Sequence, residues 1–360
     1  MLVHICCSVD SHYFLQKLQE DYPNEKLVGF FYDPNIHPYS EYKLRLLDVK
    51  RSCDMLGIEL IEGEYDYKGW IKAVKGLENE PEKGARCSVC FDNRFEASAK
   101  KAQNIAEKVY TSTLLTSPKK SLKQLEDSGK EIGKKYGVEF IAPDYRKNNG
   151  TQQQNILAKK DALYRQDYCG CMFALNKQRD IQQKLSDELI SPIANEILPE
   201  SIDERLQMYE YRIKLEEQNI PYKIVKHRFL NYRILYGLLR SKKETIPSYF
   251  LPYSTIKNSY TRGKIEYEIN GLYYMNRDEV KFITLQKLND LSDKNYTSIK
   301  ELIFKPLSFD EGISLRNKLG LLAYDLSCIV VVEDIIDTKV EIILDAKTYS
   351  DVKEVLVELR

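Results

Sequence analysis

The sequence lacks several patterns that would assign it to a familiar class. Its 360 residues contain no Gly-x-Gly-x-x-Gly and no Gly-x-x-x-x-Gly-Lys-Ser/Thr run, so a dinucleotide or nucleoside triphosphate site of that kind is unsupported. Low-complexity tracts and apolar runs of membrane-spanning length are also missing. No signal-peptide pattern is visible at Met1-Leu2-Val3-His4, so we expect a cytoplasmic protein without a membrane partner.

The formal net charge of the chain is zero. The 54 Lys and Arg balance the 54 Asp and Glu, which argues against a nonspecific polycation. The distribution is less even, because residues 100–165 hold fourteen Lys and Arg against seven Asp and Glu. Such a run is usually a solvated face. Beside a metal site it becomes a candidate phosphate-contacting surface, with Lys119 and Lys120 as candidate contacts.

Cysteine is scarce, but its placement is informative. Six of the eight cysteines form three close pairs, Cys6-Cys7, Cys87-x-x-Cys90 and Cys169-x-Cys171. Two kinds of chemistry require two thiolates within a few ångströms of each other, namely soft-metal ligation and reversible disulfide formation. A framework of structural disulfides suits small secreted proteins better than this chain. The two isolated cysteines, Cys53 and Cys328, are interpreted as small buried apolar residues.

Two kinds of metal site fit the paired cysteines. Cys-x-x-Cys is the usual half of a structural zinc site, but here a second pair would have to supply the other half. Neighbouring residues in a strand point to opposite faces, so Cys6 and Cys7 would hold one small ion poorly unless the backbone turns there. A larger cluster offers each sulfur its own metal corner, and iron–sulfur clusters are held by cysteine thiolates. Spacing therefore favours an iron–sulfur site and leaves zinc open.

The first half of the chain alternates apolar strands with helices. Strands are predicted at 2–5, 27–32, 58–61, 109–113 and 140–141, and helices at 8–21, 41–56, about 94–107 and 121–136. This order predicts an α/β fold, a Rossmann-like sandwich with a mostly parallel sheet. Sites in such sheets lie beyond the carboxyl ends of the strands. Cys6-Cys7 and Tyr32-Asp33 each follow a strand directly, so we expect both at that edge.

The second half predicts a smaller α+β extension, so the chain is divided into domains at 1–180 and 181–360. A capping box at Ser201–Glu204 opens a helix to about residue 217, and Asn270-Gly271 predicts a hairpin. Strands are predicted at 328–333 and 339–344, followed by a terminal helix at 350–360. No metal or nucleophile constellation occurs here. A packing or oligomerisation role stays open, and so does an accessory role in nucleic-acid binding, which the Lys, Arg and Tyr residues from Lys223 to Lys243 suggest.

Six ordered motifs resemble the QueH type of epoxyqueuosine reductase over about residues 1–180. They are His4–Cys7, Phe31–Pro38, Gly84–Phe91, Thr113–Pro118, Asp144–Lys147 and Leu163–Cys171. Six motifs at compatible spacing are far more specific than a single Cys-x-x-Cys. The resemblance implies the last step of queuosine synthesis at the wobble nucleoside of a tRNA anticodon, in which an epoxide on a cyclopentane ring becomes an alkene.

That reaction is a two-electron, two-proton reduction that releases water, and ordinary side chains do not supply electrons. The resemblance implies that a 4Fe–4S cluster is held by four thiolates, those of Cys6, Cys7, Cys87 and Cys90. It also implies that Cys169 and Cys171 cycle between dithiol and disulfide. A disulfide across one residue closes a strained ring that is easily reduced, and Gly170 gives the backbone the freedom that such a ring requires.

The chain departs from the family at one position, because many relatives carry Cys where this sequence has Asp10. A carboxylate there could ligate iron, act as an acid in catalysis, or merely cap the helix. The implied partners are a tRNA anticodon stem-loop carrying epoxyqueuosine and an unidentified electron donor. An additional mononuclear iron is left open. The alternative interpretation is a zinc-stabilised RNA-binding or tRNA-thiolation-type module without redox chemistry.

Overall fold

Five parallel strands form the sheet of the first half of the chain. A computed structural model of the protein describes residues 1–117, 120–190, 196–277, 280–322 and 325–359. The strands are β1 (Leu2–Ile5), β2 (Val28–Phe31), β3 (Glu59–Glu62), β4 (Val109–Ser112) and β5 (Glu139–Phe140). They lie in the order β3-β2-β1-β4-β5, and every neighbouring pair is parallel. The predicted α/β fold is confirmed.

Helices connect and cover these strands. They are α1 (Ser8–Asp21), α2 (Tyr39–Leu56), α3 (Tyr67–Ala73), α4 (Ala85–Asn104), α5 (Leu122–Tyr136), α6 (Gly150–Lys160), α7 (Met172–Ile181) and α8 (Ile202–Glu217). Apolar residues at helical spacing pack against the sheet, as Phe14 and Leu18 of α1 and Phe91 and Phe95 of α4 do. Cys53 is buried in α2, as the sequence indicated.

Helix α4 begins nine residues before the start predicted at Arg94. Cys90, Phe91, Arg94 and Phe95 are all buried, so the buried face of the helix runs through the Cys-x-x-Cys motif without a break. Cys87 and Cys90 therefore lie one turn apart near the start of this helix. The motif is helical rather than part of a loop.

The second half is α+β, as predicted. Its strands are β6 (Tyr222–Ser241), β7 (Glu244–Ile246), β8 (Tyr249–Phe250), β9 (Tyr260–Gly263), β10 (Ile265–Ile269), β11 (Leu272–Met275), β12 (Lys281–Thr284), β13 (Ile329–Val332) and β14 (Val340–Glu358). Its helices are α9 (Leu285–Ser292), α10 (Ile299–Phe304) and α11 (Phe309–Lys318). They accompany a five-stranded sheet of order β10-β11-β12-β13-β8 and a four-stranded sheet of order β7-β6-β14-β9.

The contacts divide the chain into two compact units. The first contains Met1–Ile190, Arg205–Ile224 and Leu356–Arg360, and the second contains Ser191–Glu204 and Val225–Val355. The boundary placed at residue 180 stays a prediction. Within the described residues, no helix combines the length and the apolar character needed to cross a membrane.

Local patterns in the second half had mixed outcomes. The hairpin at Asn270-Gly271 is confirmed, since it joins the antiparallel strands β10 and β11. Cys328 is buried beside β13, as expected. The terminal helix predicted from Ser350 is wrong, because β14 continues to Glu358. Pairing of β14 in the four-stranded sheet overrides the helical spacing of this segment, and Val352, a β-branched residue, suits a strand.

A buried ion pair joins α8 to α2 in the first unit. The guanidinium of Arg212 donates to Asp48 Oδ1 and to the carbonyl oxygen of Ala162 (2.7 Å), and neither Arg212 nor Asp48 is exposed. Asp48 Oδ2 accepts from the Ser8 hydroxyl and from the Tyr164 amide (2.7 Å). One carboxylate thus ties together α1, α2, α8 and the segment that leads to the last cysteine pair.

Replacing Arg212 with Met should destabilise the protein strongly, because the buried carboxylate of Asp48 would lose its cation. The expected loss is about 3–5 kcal/mol of unfolding free energy, measured by urea denaturation. Lys50→Met is the control, since Lys50 forms an exposed pair with Glu62 (3.4 Å) and should leave the urea midpoint close to that of the parent. Equal midpoints for the two variants would contradict this role of Arg212.

Candidate active site

Cys6 and Cys7 lie where the order of the sheet reverses. Strand β1 pairs with β2 on one side and with β4 on the other, and crevices of α/β sheets open at such points. The strand ends at Ile5 and the chain enters α1 directly, with Cys7 as the N-cap. Alternation between faces therefore stops, and the two sulfur atoms are 3.9 Å apart. The turn that a shared metal site requires is present.

His4 links the three strand ends beneath this crevice. Its Nδ1 lies 2.9 Å from Ser112 Oγ at the end of β4, and its Nε2 lies 3.1 Å from the carbonyl oxygen of Tyr32, just after β2. Burial lowers the pKa of His4 to about 3, and the charge of Arg94 acts in the same direction. The imidazole is therefore neutral, donating to the Tyr32 carbonyl and accepting from the Ser112 hydroxyl.

Asp10 lies in the first turn of α1 and faces the two thiols. Its Oδ1 accepts a hydrogen bond from Gln154 Nε2 (2.7 Å). The two sulfur atoms of Cys6 and Cys7 and a carboxylate oxygen of Asp10 all lie within 4.8 Å of one another. The N-cap of α1 is Cys7, which makes no side-chain capping bond. Burial raises the pKa of Asp10, and its hydrogen bonds to Gln154 and Cys7 oppose that shift.

The Cys-x-x-Cys pair of α4 receives hydrogen bonds on both sulfurs. Arg94 Nη2 donates to Cys90 Sγ (3.3 Å), and the Lys83 amide donates to Cys87 Sγ (3.3 Å). Arg94 also lies 3.0 Å from the carboxylate of Asp33, which follows β2. Burial raises the pKa of Asp33 to about 6, and Arg94 opposes the shift. Sequence reasoning missed Arg94, although its position one turn after Cys90 places it on the same helical face.

The loop containing Cys169 and Cys171 is fixed against the segment that follows β2. The His37 amide donates to the carbonyl oxygen of Gly170 (2.9 Å), and Asn35 Nδ2 donates to that of Cys169 (3.3 Å). Gly170 has a φ of +98°, and a Cβ placed there would lie 2.7 Å from Ile36 Cγ1. Both the backbone conformation and the close approach therefore require glycine.

A hydrogen bond polarises this dithiol. The thiol of Cys171 donates to Cys169 and lowers the pKa of Cys169 well below its usual range, with burial opposing and Lys120 assisting. The same hydrogen bond, together with burial, raises the pKa of Cys171. Both residues are free thiols in the structure. Opposite pKa shifts of this kind suit a neighbouring pair of thiols to thiol–disulfide exchange.

These groups meet in one cavity of about 220 Å³. The candidate residues on its wall are Cys6, Asp10, Cys87, Cys90, Cys169 and Cys171. Cys7 lies directly behind Cys6 and is almost fully buried. The fold thus brings all three cysteine pairs and Asp10 together, although nearly 170 residues separate the first pair from the last.

Several residues on the wall went unrecognised in the sequence. Arg86 Nη1 donates to the carbonyl oxygens of Leu77, Glu78 and Glu80, and so holds the loop before α4. Arg86 Nε, Arg94 Nε and Trp70 Nε1 are buried and have no hydrogen-bond partner among the described residues. Arg86 could have been noticed from its position next to Cys87, whereas Trp70 lies in a segment without a recognisable motif.

The basic residues of the 100–165 stretch fall into two groups. Lys100, Lys130 and Lys135 pair with glutamates on exposed surfaces, which is the ordinary solvated arrangement. Lys120 and Arg165 instead line the cavity. Lys119 lies outside the described residues. The phosphate-contacting surface therefore stays a prediction, with these two cavity residues as its best-placed members.

Comparison with known proteins identifies the family of this chain. The family model described as epoxyqueuosine reductase QueH matches residues 1–177. The epoxyqueuosine reductase QueH of Helicobacter pylori is 43% identical over 336 residues, which cover 88% of this chain and 89% of that protein. This chain belongs to the QueH family of epoxyqueuosine reductases. The assignment made from its motifs is confirmed, and the protein is an oxidoreductase.

Family similarity extends further than the motifs suggested. The QueH of Acinetobacter baylyi is 37% identical over 176 residues, covering 49% of this chain and 80% of that protein. The match to the Helicobacter pylori protein continues well past residue 180, so the second half is shared with that relative. Among solved structures, the U34-tRNA thiolase NcsA from Methanococcus maripaludis with its 4Fe-4S cluster covers 59% of this chain and 73% of its own, at 16% identity and a TM-score of 0.33. Similarity at that level supports no inference.

Replacing Gly170 with Ala should displace the dithiol loop, since the new Cβ meets Ile36 in a conformation that L side chains rarely adopt. We expect a loss of about 1–3 kcal/mol in stability and a large fall in reductase turnover. Gly76→Ala is the control, because Gly76 also has a positive φ (+85°) but no atom within 4 Å of its Cβ position. If Gly170→Ala retains the turnover of Gly76→Ala, the close packing of this loop is unimportant.

Proposed function

We propose that this protein reduces the epoxide of epoxyqueuosine at the tRNA wobble position to the alkene of queuosine. The observation that carries the proposal is the convergence of three cysteine pairs on one buried cavity, in a chain of the QueH family. The reaction needs two electrons and two protons at one carbon–carbon bond. The thiols of this cavity, and a metal group bound by them, would be able to deliver both.

Four of the thiols are suited to hold a 4Fe–4S cluster, namely those of Cys6, Cys7, Cys87 and Cys90. Such a cluster supplies electrons one at a time when it is bound. The wall fits a group of this kind, because thiolate donors are surrounded by buried N–H groups. Arg94 already donates to Cys90, and Trp70 Nε1 and Arg86 Nε are unpaired among the described residues. Hydrogen bonds to sulfur and positive charge stabilise an anionic cluster.

The third pair is suited to two-electron transfer. Oxidation of the Cys169 and Cys171 thiols to a disulfide releases two electrons and two protons, which balance loss of the epoxide oxygen as water and formation of the carbon–carbon double bond. The two electrons released when one sulfur–sulfur bond forms are the two needed to break both carbon–oxygen bonds of the epoxide. An electron donor, not identified by the chain, would then reduce the disulfide. The polarised state of this dithiol supports its assignment as a relay.

The proposed substrate is a tRNA anticodon stem-loop. Lys120 and Arg165 at the cavity supply positive charge where RNA phosphate would approach. Arg146 donates to the carbonyl oxygens of Leu115 (2.6 Å) and Lys120 (2.8 Å), so the segment carrying Lys120 is held in place. Backbone phosphates can therefore contact side chains beside the cysteines.

One observation favours a single metal ion in part of this site. The ligand atoms of Cys6, Cys7 and Asp10 lie close enough together to bind one ion. We propose Asp10 as an iron ligand beside these two thiols, in preference to a helix cap, since the N-cap of α1 is Cys7. A zinc ion at the same three residues is the alternative, and it would leave the protein without redox chemistry. Iron, sulfide and zinc analysis of anaerobically purified protein decides between them, since zinc without iron would rule out the reductase.

Replacing Cys90 with Ser should remove most of the bound iron and abolish turnover, because a serine alkoxide hardly forms at neutral pH whereas a thiolate forms readily. Iron and sulfide analysis after anaerobic purification measures the effect. Cys53→Ser is the control, since Cys53 is equally buried but lies away from the cavity. Full iron content in Cys90→Ser would show that this ligand set is wrong.

Replacing Cys169 with Ser should leave iron and sulfide at the parent's level but stop turnover, because the disulfide can no longer form. Single-turnover reduction of an epoxyqueuosine stem-loop, together with metal analysis, measures both properties. Loss of iron as complete as in Cys90→Ser would make Cys169 a ligand and exclude the relay.

A further inference from the structure

Two buried acceptors on the cavity wall have no hydrogen-bond donor. Asn35 has no exposed surface, and its Oδ1 has no partner among the described residues. The buried Oε1 of Gln166 also has no hydrogen-bond partner among the described residues. Both residues line the cavity. A buried acceptor without a donor costs free energy, so two of them in one catalytic cavity indicate that a ligand provides the donors.

The orientation of Asn35 is set by its other amide atom. Asn35 Nδ2 donates to the carbonyl oxygen of Cys169 (3.3 Å). A flipped amide would place Oδ1 against that carbonyl, which has no proton to give, so the assignment of oxygen and nitrogen follows from the bond. The unpaired atom of Asn35 is therefore its acceptor.

Gln166 is held between two anchored neighbours. Arg165 Nη2 donates to Asn155 Oδ1 (2.8 Å), and Asp167 Oδ2 accepts from Arg179 Nη2 (2.7 Å). The side chains on both sides of Gln166 are thereby held by hydrogen bonds. Its Oε1 has a defined place on the wall without making a bond of its own.

Unpaired donors and unpaired acceptors both occur on this wall. Donors occur beside the cysteines, where Trp70 packs with Cys90 and Cys171, and Arg94 bonds Cys90. The unpaired amide acceptors instead belong to the segments after β2 and before α7, represented by Asn35 and Gln166. The donors suit sulfur anions. The acceptors require a ligand that brings O–H or N–H groups.

We propose that Asn35 Oδ1 and Gln166 Oε1 bind the hydroxylated ring of the substrate. This inference rests on the proposed function and identifies which part of the nucleoside these residues recognise. The five-membered ring carries two hydroxyl groups and is joined to the base through a secondary amine, which is protonated at neutral pH. All three groups donate hydrogen bonds. A site built for such donors rejects an analogue without them, because its acceptors would then stay unpaired.

Binding can test this assignment without any chemical turnover. The product retains the diol and the amine, so we compare the Kd of an anticodon stem-loop carrying queuosine with that of the same stem-loop carrying 7-aminomethyl-7-deazaguanine, which lacks the ring. The parent should prefer the queuosine stem-loop by at least about tenfold, the factor that one net hydrogen bond contributes. Asn35→Leu and Gln166→Leu should each reduce that preference roughly tenfold or abolish it, with bound iron unchanged.

Two further variants separate direct contact from a packing effect. Gln166→Glu keeps an acceptor and should keep the preference. Asn93→Leu is the matched control, because Asn93 Oδ1 is also buried and unpaired among the described residues but does not line the cavity. It should retain the parent's preference. Loss of preference in Asn93→Leu comparable to that in Gln166→Leu would overturn the assignment.

Failure of this inference is distinguishable from failure of the proposed function. A parent that reduces epoxyqueuosine but binds both stem-loops equally, or Leu variants that keep the parent's preference, would overturn the role of Asn35 and Gln166 alone. A parent that reduces no epoxyqueuosine while preferring the queuosine stem-loop would overturn the proposed reaction and leave the binding site standing.

Discussion

The parallel pairing of β1 with both β2 and β4 is the constraint on which the site depends. Because parallel strands end at the same edge, the residues after these three strands are brought together there. The neutral imidazole of His4 connects the ends of β2 and β4 below that edge. Cys6 follows the end of β1, and Asp33 follows the end of β2, at this edge. The remaining cysteines are carried to the same crevice by elements that pack on this edge.

The groups that line this crevice differ in charge and in the kind of hydrogen bond that they make. The Arg94 guanidinium and the Lys83 amide donate to the sulfurs of Cys90 and Cys87, and such hydrogen bonds stabilise negative charge on sulfur. The dithiol loop is restrained by one backbone hydrogen bond from His37 and by the close fit of Gly170. The amide side chains of Asn35 and Gln166 also line the cavity. Thiols, N–H donors and amide acceptors therefore share the wall of one cavity.

Much of the fold was predictable because its elements are local. Alternating apolar strands and helices predicted the parallel sheet, and Asn270-Gly271 predicted a hairpin that the structure contains. The start of α4 and the end of the chain were not predictable in the same way. The first is decided by a buried face that continues through Cys90, and the second by the pairing of β14 with distant strands. Burial decides the first place, and long-range strand pairing overrides local spacing at the second.

The sequence by itself determined the family, the three cysteine pairs, and which residues are candidates for redox chemistry. Cysteine spacing and ordered motifs are properties of the chain, so they can be read without coordinates. Only the tertiary structure decided that the pairs meet, that Asp10 faces Cys6 and Cys7, and that Asn35 and Gln166 present unpaired acceptors. The physical reason is that burial and hydrogen-bond satisfaction depend on neighbours far apart in sequence, and a pattern of residues does not record them.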